Sequence, residues 1–111
     1  MNLIRPSIVK FADNNLEIEF YGLSDGDEIK EYLKRAIKDL QINAFSGIQI
    51  PKRLIPEEYI KKYGAKNLWK YDLPDGWRLI YTITTPSKVC IVSVILKWFD
   101  HSDYERRFRY K

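Results

Sequence analysis

Soft metal ligands are nearly absent, because the chain has one cysteine, Cys90, and one histidine, His101. A single thiol excludes an internal disulfide, and one thiol with one imidazole falls short of the four ligands a structural zinc site takes. Any metal chemistry would have to rest on carboxylates. Long apolar runs are missing as well. The longest, Val89 to Leu96, is interrupted by Ser93 and is far shorter than the roughly 20 residues of a membrane helix. Met1 to Lys10 is broken by Pro6, Ser7 and Lys10, unlike the basic start and apolar run of a secretion signal. These readings predict a cytoplasmic protein with no membrane contact. The five glycines form no phosphate-cradling loop, and no serine is flanked by glycines as a nucleophile elbow requires. The major motif-defined enzyme classes therefore receive no support.

What is present fits a single domain over residues 1–111, with 45% hydrophobic and 31% charged residues as in an ordinary globular protein. The net charge of +4 is unevenly placed. Residues 1–49 carry six Lys/Arg against eight Asp/Glu, and residues 50–111 carry thirteen against seven. A basic second half points to a polyanionic partner such as nucleic acid, although charge alone serves a solvated lysine-rich surface equally well.

Ile8 to Ala12 reads as strand material, Asn14 and Asn15 as a turn, and Leu16, Ile18 and Phe20 alternate with Glu17 and Glu19. That pattern predicts a hairpin or a long bent strand. Ser24 is placed to cap a helix over 25–41, with acidic residues early and Lys34, Arg35 and Lys38 late. Its stripe of Ile29, Tyr32, Leu33, Ala36, Ile37 and Leu40 must bury itself, most simply on a sheet. Gly47 to Ile50 predicts a short strand in a loop, and Pro56 to Gly64 a second helix of about two turns. The runs 67–73, 77–85 and 89–99, separated by tight turns, predict an antiparallel meander whose last strand, apolar on both faces, is central or helix-covered. Asp100 or Ser102 then caps a terminal helix holding Tyr104, Arg106, Arg107 and Phe108. The fold class is α+β: a twisted antiparallel sheet with N-terminal helices packed on one face and a short C-terminal helix. Leu79, Tyr81, Ile91 and Val94, or their neighbours, are the expected inward residues of one core.

An antiparallel meander brings the start of run 77–85 to the sheet end where run 89–99 finishes, so Arg78 and His101 are expected near each other, with Tyr104 one turn further on. These residue types suit cleavage of RNA by its own 2′-hydroxyl. That reaction needs a proton acceptor, positive charge around the phosphate and a proton donor at the leaving 5′-oxygen, and it requires no metal or cofactor. Lys52, on a loop between prolines, is a further catalytic candidate, and Arg53, Lys61, Lys62, Arg106 and Arg107 are candidates for holding the polyanion. A histidine at a helix start also serves as a cap or surface residue, and Asp75, Asp100 and Asp103 are available to pair with Arg78.

The segments Gly76-Trp77-Arg78-Leu79-Ile80-Tyr81 and His101-Ser102-Asp103-Tyr104-Glu105-Arg106 resemble two motifs of the RelE/ParE toxin superfamily, and the order of elements is similar from about residue 25 onward. The resemblance implies a small toxin of a type II toxin–antitoxin pair, neutralised by a cognate antitoxin, whose ribonuclease members cut messenger RNA in the ribosomal A site. It makes Arg78 the phosphate-stabilising arginine, His101 the C-terminal acid or base and Tyr104 the base-stacking or orienting aromatic. Other members of the superfamily are non-catalytic, poisoning DNA gyrase or binding a partner without toxic activity. In such a binding module Trp69, Trp77 and Trp98 are the candidates for protein contact, with burial in the core the expected role of at least two of them.

Overall fold

The computed structural model, which describes residues 5–108, runs β1 (Ile8–Phe11), α1 (Asn14–Tyr21), α2 (Glu28–Ile42), β2 (Ile48–Gln49), α3 (Glu57–Tyr63), β3 (Trp69–Asp72), β4 (Arg78–Ser87), β5 (Cys90–Phe99) and α4 (His101–Arg107). The meander forms as predicted, with β3, β4 and β5 antiparallel and β2 adding antiparallel to β3. One part of the sheet departs from expectation. β1 pairs parallel to β5, with Ile8 opposite Val92 and Phe11 opposite Ile95, so the five-stranded sheet is mixed, in the order β1-β5-β4-β3-β2. No tight turn dictates the direction of β1. The chain leaves it through two helices and re-enters at the opposite sheet edge as β2. Ser93, which interrupts the apolar run of β5, is fully buried and shares a 2.8 Å hydrogen bond with Ser7.

The segment expected as a turn at 14–15 and a strand over 16–20 is the helix α1. Asp13 caps it, its carboxylate accepting a 2.9 Å hydrogen bond from the Leu16 amide. Leu16 and Phe20 share a face in either conformation and are buried, so the two readings differ mainly at Ile18, which the helix leaves 68% exposed. The cap decides between them. That bond, with a second from the Tyr63 hydroxyl and the charge of Lys62, holds the Asp13 carboxyl below its ordinary 3.8. A depressed folded-state value gives stability that is complete above the ordinary range and is lost as the pH falls through it. Asp13→Asn keeps a capping oxygen without the charge. Thermal melts at stepped pH should therefore show a smaller loss of stability below about pH 4 in this variant than in the parent chain.

α2 begins three residues later than expected, with Asp27 rather than Ser24 as its cap. Residues 24–26 instead form a turn fastened by Lys30, whose buried Nζ donates to Leu23 O at 2.9 Å and to Asp25 Oδ1 at 3.0 Å. The predicted stripe is correct. Leu33, Ala36 and Leu40 are buried against Leu79, Tyr81, Ile95 and Trp98 of the sheet, and Leu16 and Phe20 of α1 extend the same cluster. Leu33→Ala should destabilise by roughly 2–5 kcal/mol in denaturant titration, because a side chain 1% exposed leaves a cavity when truncated.

The helices do not share one face, and the core is not one layer. Tyr59 of α3, Tyr104 of α4 and Phe108 cover the other side of the sheet with Ile50, Leu68, Ile80, Leu96 and Phe99. A register shift produces part of this arrangement. Ile80 lies opposite Lys97 and Tyr81 opposite Ile95, so Leu96 is an extra residue in β5, and Ile95 and Trp98 reach the same face although three apart. Beside Leu79 and Tyr81 stands Ile95, the neighbour of Val94, while Val94 itself packs on the second layer and Ile91 belongs to neither cluster.

Tyr81 ties the α2–β2 connection to the sheet. Its hydroxyl donates to Ala44 O at 2.8 Å and accepts from the Gly47 amide at 3.0 Å, and burial pushes it up to about 12. A β-carbon at Gly47 would lie 2.5 Å from the Lys70 carbonyl oxygen and 2.7 Å from the Tyr81 hydroxyl, so only glycine lets β2 dock beside β3.

Candidate functional site

The hairpin register assembles the site. Lys70 lies opposite Ile80 and Asp72 opposite Arg78, while Arg78 lies opposite Phe99 on its other side. Residues paired across strands point to the same face, here the second face, that of Ile80 and Phe99. Lys70, Asp72 and Arg78 therefore converge at one end of that face. Asp100 caps α4 there, its Oδ1 accepting the Asp103 amide at 2.8 Å, and the helix lays the buried Tyr104 ring against the cations. Arg78 Cζ is 5.4 Å and Lys70 Nζ 5.6 Å from the ring centroid, both within cation–π range.

Asp72 links the two cations. Its Oδ1 lies 2.9 Å from Arg78 Nε and 3.6 Å from Lys70 Nζ, and Arg78 Nη1 also donates to the Trp77 carbonyl at 3.2 Å. The Arg78 and Lys70 side chains are only 18% and 21% exposed, whereas that of Asp72 is 49% exposed. Two half-desolvated cations facing one carboxylate leave an excess positive charge in a medium where charge acts more strongly than at an open surface. None of Asp75, Asp100 and Asp103, the partners foreseen for Arg78, takes that role. A directly cross-strand neighbour does.

His101 stands at the rim. Its side chain is 61% exposed, with Nε2 3.5 Å from Glu105 Oε1 one turn along α4. Its position is fixed through the hairpin turn, where Asp75 and Gly76 both take left-handed backbone, at φ of 59° and 80°. A β-carbon on Gly76 would come within 2.9 Å of His101 Cβ, so the turn and the helix start touch with no room to spare. Arg78, Tyr104 and His101 thus share one end of the sheet.

The other basic candidates do not join that cluster. Lys52 and Arg53 are exposed on the single turn 52–54, beside Leu54 and Ile55 of the second core. Lys61 pairs with Glu57 at 3.4 Å and Lys62 with Asp13 at 3.9 Å. Arg106 pairs with Asp103, and Arg107 pairs with Glu58 at 2.7 Å while stacking over Phe99. Lys62 and Arg107 instead border a cleft of about 270 Å³ between α1, α3 and β5. The members missed in the sequence are Lys70 and Asp72. They alternate with Trp69, Tyr71 and Leu73, and counting back from the turn at 74–76 places them opposite residues 80 and 78.

Among the described residues no three His, Cys, Asp or Glu side chains are grouped as metal ligands, and no helix is long and apolar enough to cross a membrane. Neither protein-family models, nor curated proteins, nor solved structures give a match to this chain.

Proposed function

We propose that the chain is a RelE/ParE-like toxin that cuts ribosome-bound messenger RNA by attack of a ribose 2′-hydroxyl on the adjacent phosphate. The observation that carries this reading is the pairing of Arg78 and Lys70 on the Tyr104 ring, with His101 at the rim of the same sheet end. In the reaction the 2′-oxygen–phosphorus bond forms, the phosphorus–5′-oxygen bond breaks, one proton leaves the 2′-hydroxyl and one reaches the 5′-oxygen. Negative charge concentrates on the phosphoryl oxygens, where a guanidinium fork and an ammonium stabilise it. His101, open to solvent, exchanges one of the two protons. Tyr104 is 5% exposed, so it orients the cations and does not stack on a base. The products carry 2′,3′-cyclic phosphate and 5′-hydroxyl ends.

Incubating purified protein with ribosomes and messenger, with and without EDTA, tests the reading. Cleavage that leaves these ends and persists in EDTA supports it. Intact messenger together with inhibited gyrase supercoiling would instead favour the non-catalytic relatives. The antitoxin expected under either outcome is an acidic or amphipathic helical segment that closes the basic end of the sheet.

A further inference from the structure

Asp72 has no place in the chemistry just described, yet it lies against both cations that the reading assigns to the substrate phosphate. Its Oδ1 is shared by Arg78 Nε at 2.9 Å and Lys70 Nζ at 3.6 Å. A carboxylate and a phosphodiester carry charge of the same sign, so they compete for the same two cations. The arrangement in depth matters too. The cations are mostly covered, while Asp72 is half exposed and sits at the last position of β3, before the turn. An anion arriving from solvent therefore meets this carboxylate before it reaches the two cations.

We propose that Asp72 is a built-in counter-anion that must be displaced for a phosphate to bind, and that it sets the ligand class of the site by rejecting isolated phosphates in favour of polynucleotides. This rests on the reading of Lys70 and Arg78 as a phosphodiester site. An isolated phosphate replaces one anion beside the two cations by another, since Asp72 holds both as ion pairs while the buried Arg78 Nε–H makes no hydrogen bond among the described residues. A polynucleotide brings further phosphates to the remaining basic side chains and offsets the displacement. Specificity of this kind is a difference of affinities created by a repulsive group.

The test measures binding of two probes, inorganic phosphate and an uncleavable 2′-O-methyl RNA oligomer, followed through the Arg78 Nε–H resonance and backbone amide shifts. Asp72→Asn should bind inorganic phosphate at least about fivefold more tightly than the parent chain at low salt. A unit charge about 4 Å away is worth that much even at the dielectric of bulk water. The gain should shrink in high salt, and the preference for oligomer over phosphate should narrow. Asp72→Glu, which keeps the charge, should bind phosphate as weakly as the parent. If Asp72→Asn does not fold, Asp72→Ser gives the same reading.

Equal phosphate affinity in Asp72→Asn and the parent, with binding of the oligomer abolished by Arg78→Ala, would overturn the counter-anion and leave the phosphodiester site standing. Equal tightening by Asn and Glu would also overturn it, because packing and not charge would then be responsible. Failure of every variant, Arg78→Ala included, to alter binding of either probe would remove the underlying site, and the proposal with it.

Discussion

Arg78→Ala should slow messenger cleavage by about a hundredfold or more, since removal of one preorganised donor from a developing oxyanion commonly costs that much. The loss should fall on kcat, because charge on the phosphoryl oxygens is greatest in the transition state. Arg78→Lys discriminates between charge and geometry. It keeps a cation beside Tyr104 and Asp72 but gives up the planar fork, so an intermediate rate is expected. Truncation at this position does not leave Asp72 without a partner, as Lys70 Nζ remains 3.6 Å away. Melting temperatures measured beside the single-turnover rates should nonetheless fall, because a side chain 18% exposed loses its packing on the Tyr104 ring. Full activity in Arg78→Ala would remove the mechanism.

Tyr104 and Lys70 give this prediction its structural basis, and they differ in how far the sequence exposes them. The approach of Arg78, Tyr104 and His101 was legible, because it needs only a meander with tight turns and a helix that starts where its last strand ends. Lys70 and Asp72 were equally available from the register of the 74–76 turn. They were passed over because an alternating strand residue looks like a solvated one until something covers that face. Here α4 covers it with Tyr104 and Phe108.

Other features depended on distant contacts that carry no local mark. The parallel pairing of β1 with β5, the extra residue Leu96 and the division of the core into two layers follow from how elements meet across the sheet. For α1 the local signal existed, but Leu16 and Phe20 satisfy both periods, and the weight fell on the Asn14–Asn15 turn chemistry rather than on the Asp13 cap. The basic side chains divide on the same ground: Lys61 and Arg106 pair locally with Glu57 and Asp103, four and three residues away along one helix, whereas Lys62 and Arg107 reach Asp13 and Glu58 across the fold.

His101→Ala should lower the cleavage rate by roughly a hundredfold to ten-thousandfold, the range expected when one proton transfer is lost. The side chain is 61% exposed and its ion-pair contact among the described residues is Glu105 at 3.5 Å, so the variant should fold and melt as the parent does. A rate loss without a stability loss separates chemistry from structure more cleanly here than at Arg78. The decisive experiment combines the two. Arg78 and His101 act on one transition state, so the Arg78→Ala, His101→Ala double variant should be little slower than the slower single variant. If the two losses instead multiply in full, the groups work at independent steps, and His101 belongs to substrate binding and not to proton transfer. Glu105→Gln supplies the control for the group that lies, among the described residues, against the imidazole nitrogen. It should change the rate far less than His101→Ala, because it touches no reacting atom, and a loss as large as that of His101→Ala would make the pair, and not the imidazole alone, the functional unit.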